Sequence, residues 1–159
     1  MPLPQRKSPR LQGYDYSQSG AYFVTICVQK MQQVFGDIVD GDMQYNSWGQ
    51  VAHDCWVQIP DHYSSVELDA FVIMPNHVHG ILLLTPLEPP LTQKRVTLGR
   101  IIGAYKAAVT RTIQPLSKLW QERYHDHIIR NTQDLSRIRE YVVNNPLKWE
   151  TDTYYSENL

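Results

Sequence analysis

Residues 71–84 read "FVIMPNHVHGILLL", two apolar extended runs joined by a tight turn. "FVIM" is β-branched and aromatic, "PNH" carries turn formers, and "VHGILLL" resumes the apolar character. Carried back to Val66, the stretch predicts a strand over Val66–Met74 and a second over Val78–Leu84. Residues i and i+2 of a strand leave on the same face, so His77 and His79 project together while Val78 turns the other way into a core. Two imidazoles on one face are half of a metal site. A histidine near a turn is also an ordinary polar residue, and the spacing alone leaves both readings open.

Working outward from that hairpin, "AYFVTICVQ" (Ala21–Gln29) predicts a strand, and "GDIVDGDMQY" a short hairpin turning at Asp40-Gly41. A helix is expected from Ser47, where Ser47 and Gln50 have capping-box spacing; Val51, Cys55 and Gln58 give its apolar stripe, which stops before Pro60. "TPLEPPLTQKR" predicts a loop, the natural place for a functional flap. A second helix spans about Thr97–Ile113, with Leu98, Ile101, Ile102, Tyr105, Ala108 and Val109 on one face. "RYHDHIIR" is a short extended piece, and a third helix runs from near Asn131, where Asp134 can reach back to unpaired amides, to about Pro146. Set apart from the small N-terminal hairpin insertion, the order is strand, helix, strand, strand, helix, strand, helix. That order predicts an α+β fold, a ferredoxin-like split βαβ with a central antiparallel sheet and an extra C-terminal helix.

The 159 residues suit one domain, with a polar basic lead-in over 1–20, a core over 21–149 and a short tail over 150–159. Hydrophobic residues make up 42% and charged residues 19%, which excludes a disordered chain. Cys27 and Cys55 read as small buried hydrophobes of a reducing compartment, with one disulfide as the alternative. No apolar run reaches membrane-spanning length and no signal-peptide core is visible, so a cytoplasmic protein with no membrane partner is expected. A net charge of -1 taken alone argues mildly against nucleic acid. Its distribution offsets this, because residues 91–130 hold eight Lys or Arg against two acids.

On the third helix, Leu135, Ile138 and Val142 form the apolar face, while Tyr141 and Asn145, four apart, share a neighbouring stripe. A tyrosine and a carboxamide placed so could face a pair of histidines across a groove; equally, Tyr141 could pack on the sheet and Asn145 close the helix before Pro146. Here the segments "YFVTICVQ", "FGDIVDGDMQYNSWGQ", "VELDAFVIMPNHVHGILL", "WQERYHDHIIRNTQDLSRIREYV" and "NNPLKW", in this order, resemble the IS200-like single-strand DNA transposases (Y1, HUH type), and among them the REP-associated tyrosine transposases. The matches cover most of residues 20–149.

The resemblance implies that His77 and His79 bind a divalent cation, Mg²⁺ or Mn²⁺, that Asn145 completes the metal site, and that Tyr141 is the nucleophile. Some relatives carry Gln at the position of Asn145, and Asn is shorter. The implied reaction cuts one DNA strand, leaving a free 3′-hydroxyl and a 5′-phosphotyrosine, and needs no nucleotide cofactor. The implied partners are single-stranded DNA with a hairpin beside the cut and, in some relatives, a second copy of the chain. Tyr124 is the rival nucleophile, with Ile128 where the carboxamide would stand, and His125 and His127 form another HxH pair. Arg100, Lys106 and Arg111, with Lys94 and Arg95, are candidate phosphate contacts. Two other readings stand beside the transposase: a DNA hairpin-binding protein that does not cut, and a metal-dependent phosphoesterase that uses water.

Overall fold

The turn in the decisive stretch is two residues long, Pro75-Asn76, and joins strand β4 (Val66–Met74) to β5 (His77–Leu84) with Met74 paired to His77. The Pro75 carbonyl accepts from Val34 and Phe35 N–H, and the Asn76 carbonyl accepts from Val28 N–H, so three backbone bonds pin the turn. Strand β5 then pairs antiparallel with β1 (Gly20–Cys27), and β1 with β6 (His125–Ile129). The sheet order is β4-β5-β1-β6, which makes β5 and β1 the central strands. This is the strand arrangement expected of a ferredoxin-like split βαβ unit. The computed structural model describes residues 20–85 and 96–149; the expected lead-in, the proline-rich loop with Lys94 and Arg95, and the tail lie outside the described residues.

The two faces of the sheet carry different loads. Tyr22, Val24 and Ile26 of β1 and Val78 and Leu82 of β5 face helices α1 (Ser47–Val57) and α3 (Leu98–Ile113) in the larger core. The alternate residues face α4 (Thr132–Val143), where Ile81 and Ile129 meet Ile138 and Val142. His77 and His79 share the parity of Ile81, so both rings lie on the α4 side.

The Asp40-Gly41 turn is as expected: both residues have positive φ, 51° and 80°, between β2 (Gly36–Val39) and β3 (Asp42–Tyr45). Two details of α1 differ from expectation. Its cap is Asn46, whose Oδ1 accepts from Gly49 N–H at 2.8 Å while its Nδ2 donates to the Val34 carbonyl at 2.8 Å; Ser47 is already helical. Its buried residues are Gly49, Ala52 and Trp56, with Val51 and Cys55 flanking; Gln58, just past its end, is exposed. The reason is Gly80, where an added Cβ would lie 2.2 Å from the Trp56 ring, so the indole occupies the space that glycine leaves on β5. Pro60 opens a short helix, α2 (Ile59–His62), in whose first turn its missing N–H costs nothing. Both cysteines are free thiols. Among the described residues no helix is long and apolar enough to cross a membrane.

Candidate functional site

A buried imidazole is costly unless its nitrogens are placed against polar atoms, and each histidine of β5 has such a neighbour. His77 Nδ1 lies 2.6 Å from Asn76 Oδ1, and His79 Nδ1 lies 2.8 Å from Thr25 Oγ1. Thr25 stands directly opposite His79 in the β1-β5 register, so strand pairing itself delivers that hydroxyl. An amide oxygen only accepts, which holds His77 as the Nδ1–H tautomer, and the Thr25 hydroxyl can accept from His79 in the same way. The unprotonated nitrogen of each ring is then Nε2, on the side that faces α4 and the chain beyond it, the tautomer usual for metal-binding histidines. The two rings stand 4.4 Å apart between centroids.

Helix α4 brings the second half. Asn131 caps it by accepting from Asp134 N–H at 2.7 Å; the Asp134 carboxylate instead binds His127 at 2.7 Å and Arg137. From this start the helix crosses the sheet and sets the Tyr141 hydroxyl 3.5 Å from His79 Nε2, with the rings 5.3 Å apart. Phe23 of β1 stacks on His79 at 5.2 Å and meets Tyr141 edge-on at 6.2 Å, filling the space between strand and helix. Beyond α4 the chain folds back, and Trp149 covers His77 with nearly parallel rings 6.3 Å apart. The return is close to the β2-β3 hairpin, where a Cβ at Gly41 would lie 2.9 Å from a Leu147 methyl. Asn145 is buried, with its carboxamide directed at His77. Tyr141, 43% exposed, is the most exposed ring of this cluster.

Burial holds the His77 imidazole down to a pKa of about 3, opposed weakly by the Asn145 carboxamide. His79 is held well below its ordinary value by burial first and by the neighbouring His77 second. Both rings are therefore neutral at pH 7, the form that ligates a cation. Among the described residues no third His, Cys, Asp or Glu joins them, so a cation here would have two imidazoles, the Asn145 oxygen and otherwise water or substrate oxygens. The donor set fits Mg²⁺ or Mn²⁺, with imidazole favouring the latter.

The remaining sequence candidates separate by face. Tyr124 is buried in the core on the α3 side, opposite the histidine rings. Lys106 donates to the Gln121 carbonyl at 2.8 Å, and with Arg100 and Arg111 it belongs to α3, across the sheet from Tyr141. His127 ties β6 to the start of α4, and His125 is exposed. Sequence reasoning missed Thr25, Asn76, Phe23 and Trp149. Alternation along β1 put Phe23 and Thr25 on one face, and that signal could have found them once the register with β5 was known.

An uncharacterised protein of Haemophilus influenzae is 38% identical, covering 96% of this chain and 94% of its own length. A second H. influenzae protein, named as a candidate REP-associated tyrosine transposase, is 24% identical over 84% of this chain and 74% of its own length. The REP-associated tyrosine transposase of Escherichia coli K12 is 29% identical over 52% of this chain and 45% of its own. No family model matches. Among solved structures, a REP-associated tyrosine transposase bound to a REP hairpin superposes with a TM-score of 0.63 at 22% identity, covering 94% of this chain and 74% of that one. The fold is that of this solved REP-associated tyrosine transposase. In sequence and in fold the chain is similar to the REP-associated tyrosine transposases.

Proposed function

We propose that this protein cuts and rejoins single-stranded DNA beside a hairpin, with Tyr141 as nucleophile and His77, His79 and Asn145 as the holders of a divalent cation. The observation that carries the reading is the 3.5 Å approach of the Tyr141 hydroxyl to His79 Nε2 within one chain, at two neutral imidazoles whose Nδ1 atoms are already engaged. The similarity to REP-associated tyrosine transposases, one of them solved bound to a REP hairpin, supports the substrate class.

In this mechanism the Tyr141 oxygen bonds to phosphorus as the bond from phosphorus to the 3′ oxygen breaks. The phenol gives up its proton, the departing 3′ oxygen gains one, and the 5′ end stays on the tyrosine until a 3′-hydroxyl reverses the step. A bound Mg²⁺ or Mn²⁺ would polarise the scissile phosphate and stabilise the charge developing on its oxygens. Phe23 and Trp149 keep water from the buried side of the imidazoles, and half-exposed Tyr141 meets the strand. The exchange conserves one phosphodiester, so no nucleotide cofactor is needed.

The test is a pool of labelled single strands in which a hairpin is flanked by randomised bases, incubated with protein and Mn²⁺ and then denatured. Wild type is expected to retain a covalently attached strand, chelator to abolish the product, and His77→Ala, His79→Ala to bind DNA without forming it. DNA binding with no cleavage supports a hairpin-binding protein instead, and metal-dependent cleavage without an adduct supports the phosphoesterase.

A further inference from the structure

The side of α4 away from Tyr141 is gripped by a charge pair that begins in an irregularity of the sheet. Strand β4 loses register with β5 between Leu68 and Phe71, so Asp69 and Ala70 together oppose the single residue Ile81. The bulge changes the parity of the strand, and the Ala70 N–H donates to Asp69 Oδ1 at 2.7 Å. The same carboxylate receives Arg139 of α4 in a two-point fork, Nε to Oδ1 at 2.8 Å and Nη2 to Oδ2 at 2.5 Å. The Asp69 side chain is only 12% exposed, whereas that of Arg139 is 47% exposed. Arg139 holds the Asp69 carboxyl below the usual carboxylate range, in keeping with a formed pair.

Ile138 and Val142 face the sheet, and Arg139 and Tyr141, two residues apart, leave the helix axis about 160° from each other. A roll of α4 that loosens one therefore displaces the other. We propose that Asp69 and Arg139 are a positioning pair that sets the roll of α4 and so the aim of Tyr141 at the scissile phosphate; the proposal rests on the reading of Tyr141 as nucleophile. Side-chain tips lie roughly 5 Å from a helix axis, so a roll of about 10° moves them about 1 Å. A misplacement of that size can cost about 10²-fold in rate.

The experiment measures adduct formation in a single turnover, at saturating Mn²⁺ and a saturating strand selected from the randomised pool by the wild type. Asp69→Asn keeps an oxygen for the Ala70 amide but loses the ion pair; Arg139→Gln loses it from the other side; Arg139→Lys keeps charge without the fork. Asp69→Asn and Arg139→Gln are each expected to slow the saturated step about ten- to hundredfold, leaving the Kd for DNA within about twofold, with Arg139→Lys between them and wild type. The double variant Asp69→Asn, Arg139→Gln is expected to be no slower than the slower single, because both remove one interaction. Unchanged saturated rates in the singles, losses that multiply in the double, or a rate loss explained by weaker DNA binding would overturn the pair's role. A wild type that links to no strand removes the nucleophile and this proposal with it, whereas an active wild type with indifferent variants removes the proposal alone.

Discussion

At the scale of single residues, the cost of the site is concentrated in two imidazoles held neutral inside the protein. An unfolded imidazole takes up a proton as pH falls through about 6.5, whereas His77 resists until about 3. Between those values the unfolded chain binds more protons, so the contribution of the neutral ring is fully present above about pH 6.5 and drains away as pH falls. His79 acts in the same direction. Unfolding of the metal-free protein is therefore expected to show stability dropping from pH 7 to pH 5 by up to about 1.4 kcal/mol per ring per pH unit. In His77→Gln, His79→Gln that part of the slope should vanish; an equal slope in both proteins would show that the rings are not the acid-sensitive groups. The shared face of His77 and His79 was legible because that spacing lies within one strand, whereas α4 ends at Val143, so Asn145 follows the helix rather than sharing a helical stripe with Tyr141; the roles of all four came from the resemblance. Thr25 and Trp149 were not legible, since one reaches the site across a strand pair and the other by a chain reversal after α4, and neither event leaves a period in the sequence.

Among the elements, β5 is the strand on which both faces depend. Its odd residues hold the imidazoles against α4, and Gly80 between His79 and Ile81 admits the Trp56 ring from the other side. Gly80→Ala would force a methyl to within 2.2 Å of that ring, in a core where overpacking costs about 1–3 kcal/mol. Chemical denaturation should register a loss of that size; a variant as stable as wild type would mean that α1 can shift freely. The same contact explains why the apolar stripe of α1 was misread. Helix periodicity ranks Val51 and Cys55 as well as Ala52 and Trp56, and only the partner strand decides between them. By contrast, β-branched runs, the Asp40-Gly41 turn and the apolar face of α3 are local signals, and those elements formed where they were expected. The bulge at Asp69-Ala70 had no such signal, because it is defined by the register against β5.

For the whole molecule, the decisive division is between the two faces of one sheet. The strand order was legible from the alternation of strand and helix patterns, and it places β5 and β1 at the centre. Which histidine pair and which tyrosine belong together was not legible from pattern, because "YHDH" and "NHVH" look alike as strings. In the structure Tyr124 and the α3 helix occupy one side, while Tyr141, Asn145 and both β5 histidines occupy the other, within a single chain. The two faces thus offer two tyrosines, and the proposed chemistry requires that Tyr141 carry the DNA. The direct measurement is proteolysis of the trapped protein-DNA adduct followed by mass spectrometry of the nucleotide-bearing peptide. The modification is expected on the peptide containing Tyr141, and Tyr141→Phe is expected to fold, bind the strand and yield no adduct. Recovery of the nucleotide on the Tyr124 peptide, or an undiminished adduct in Tyr141→Phe, would contradict it.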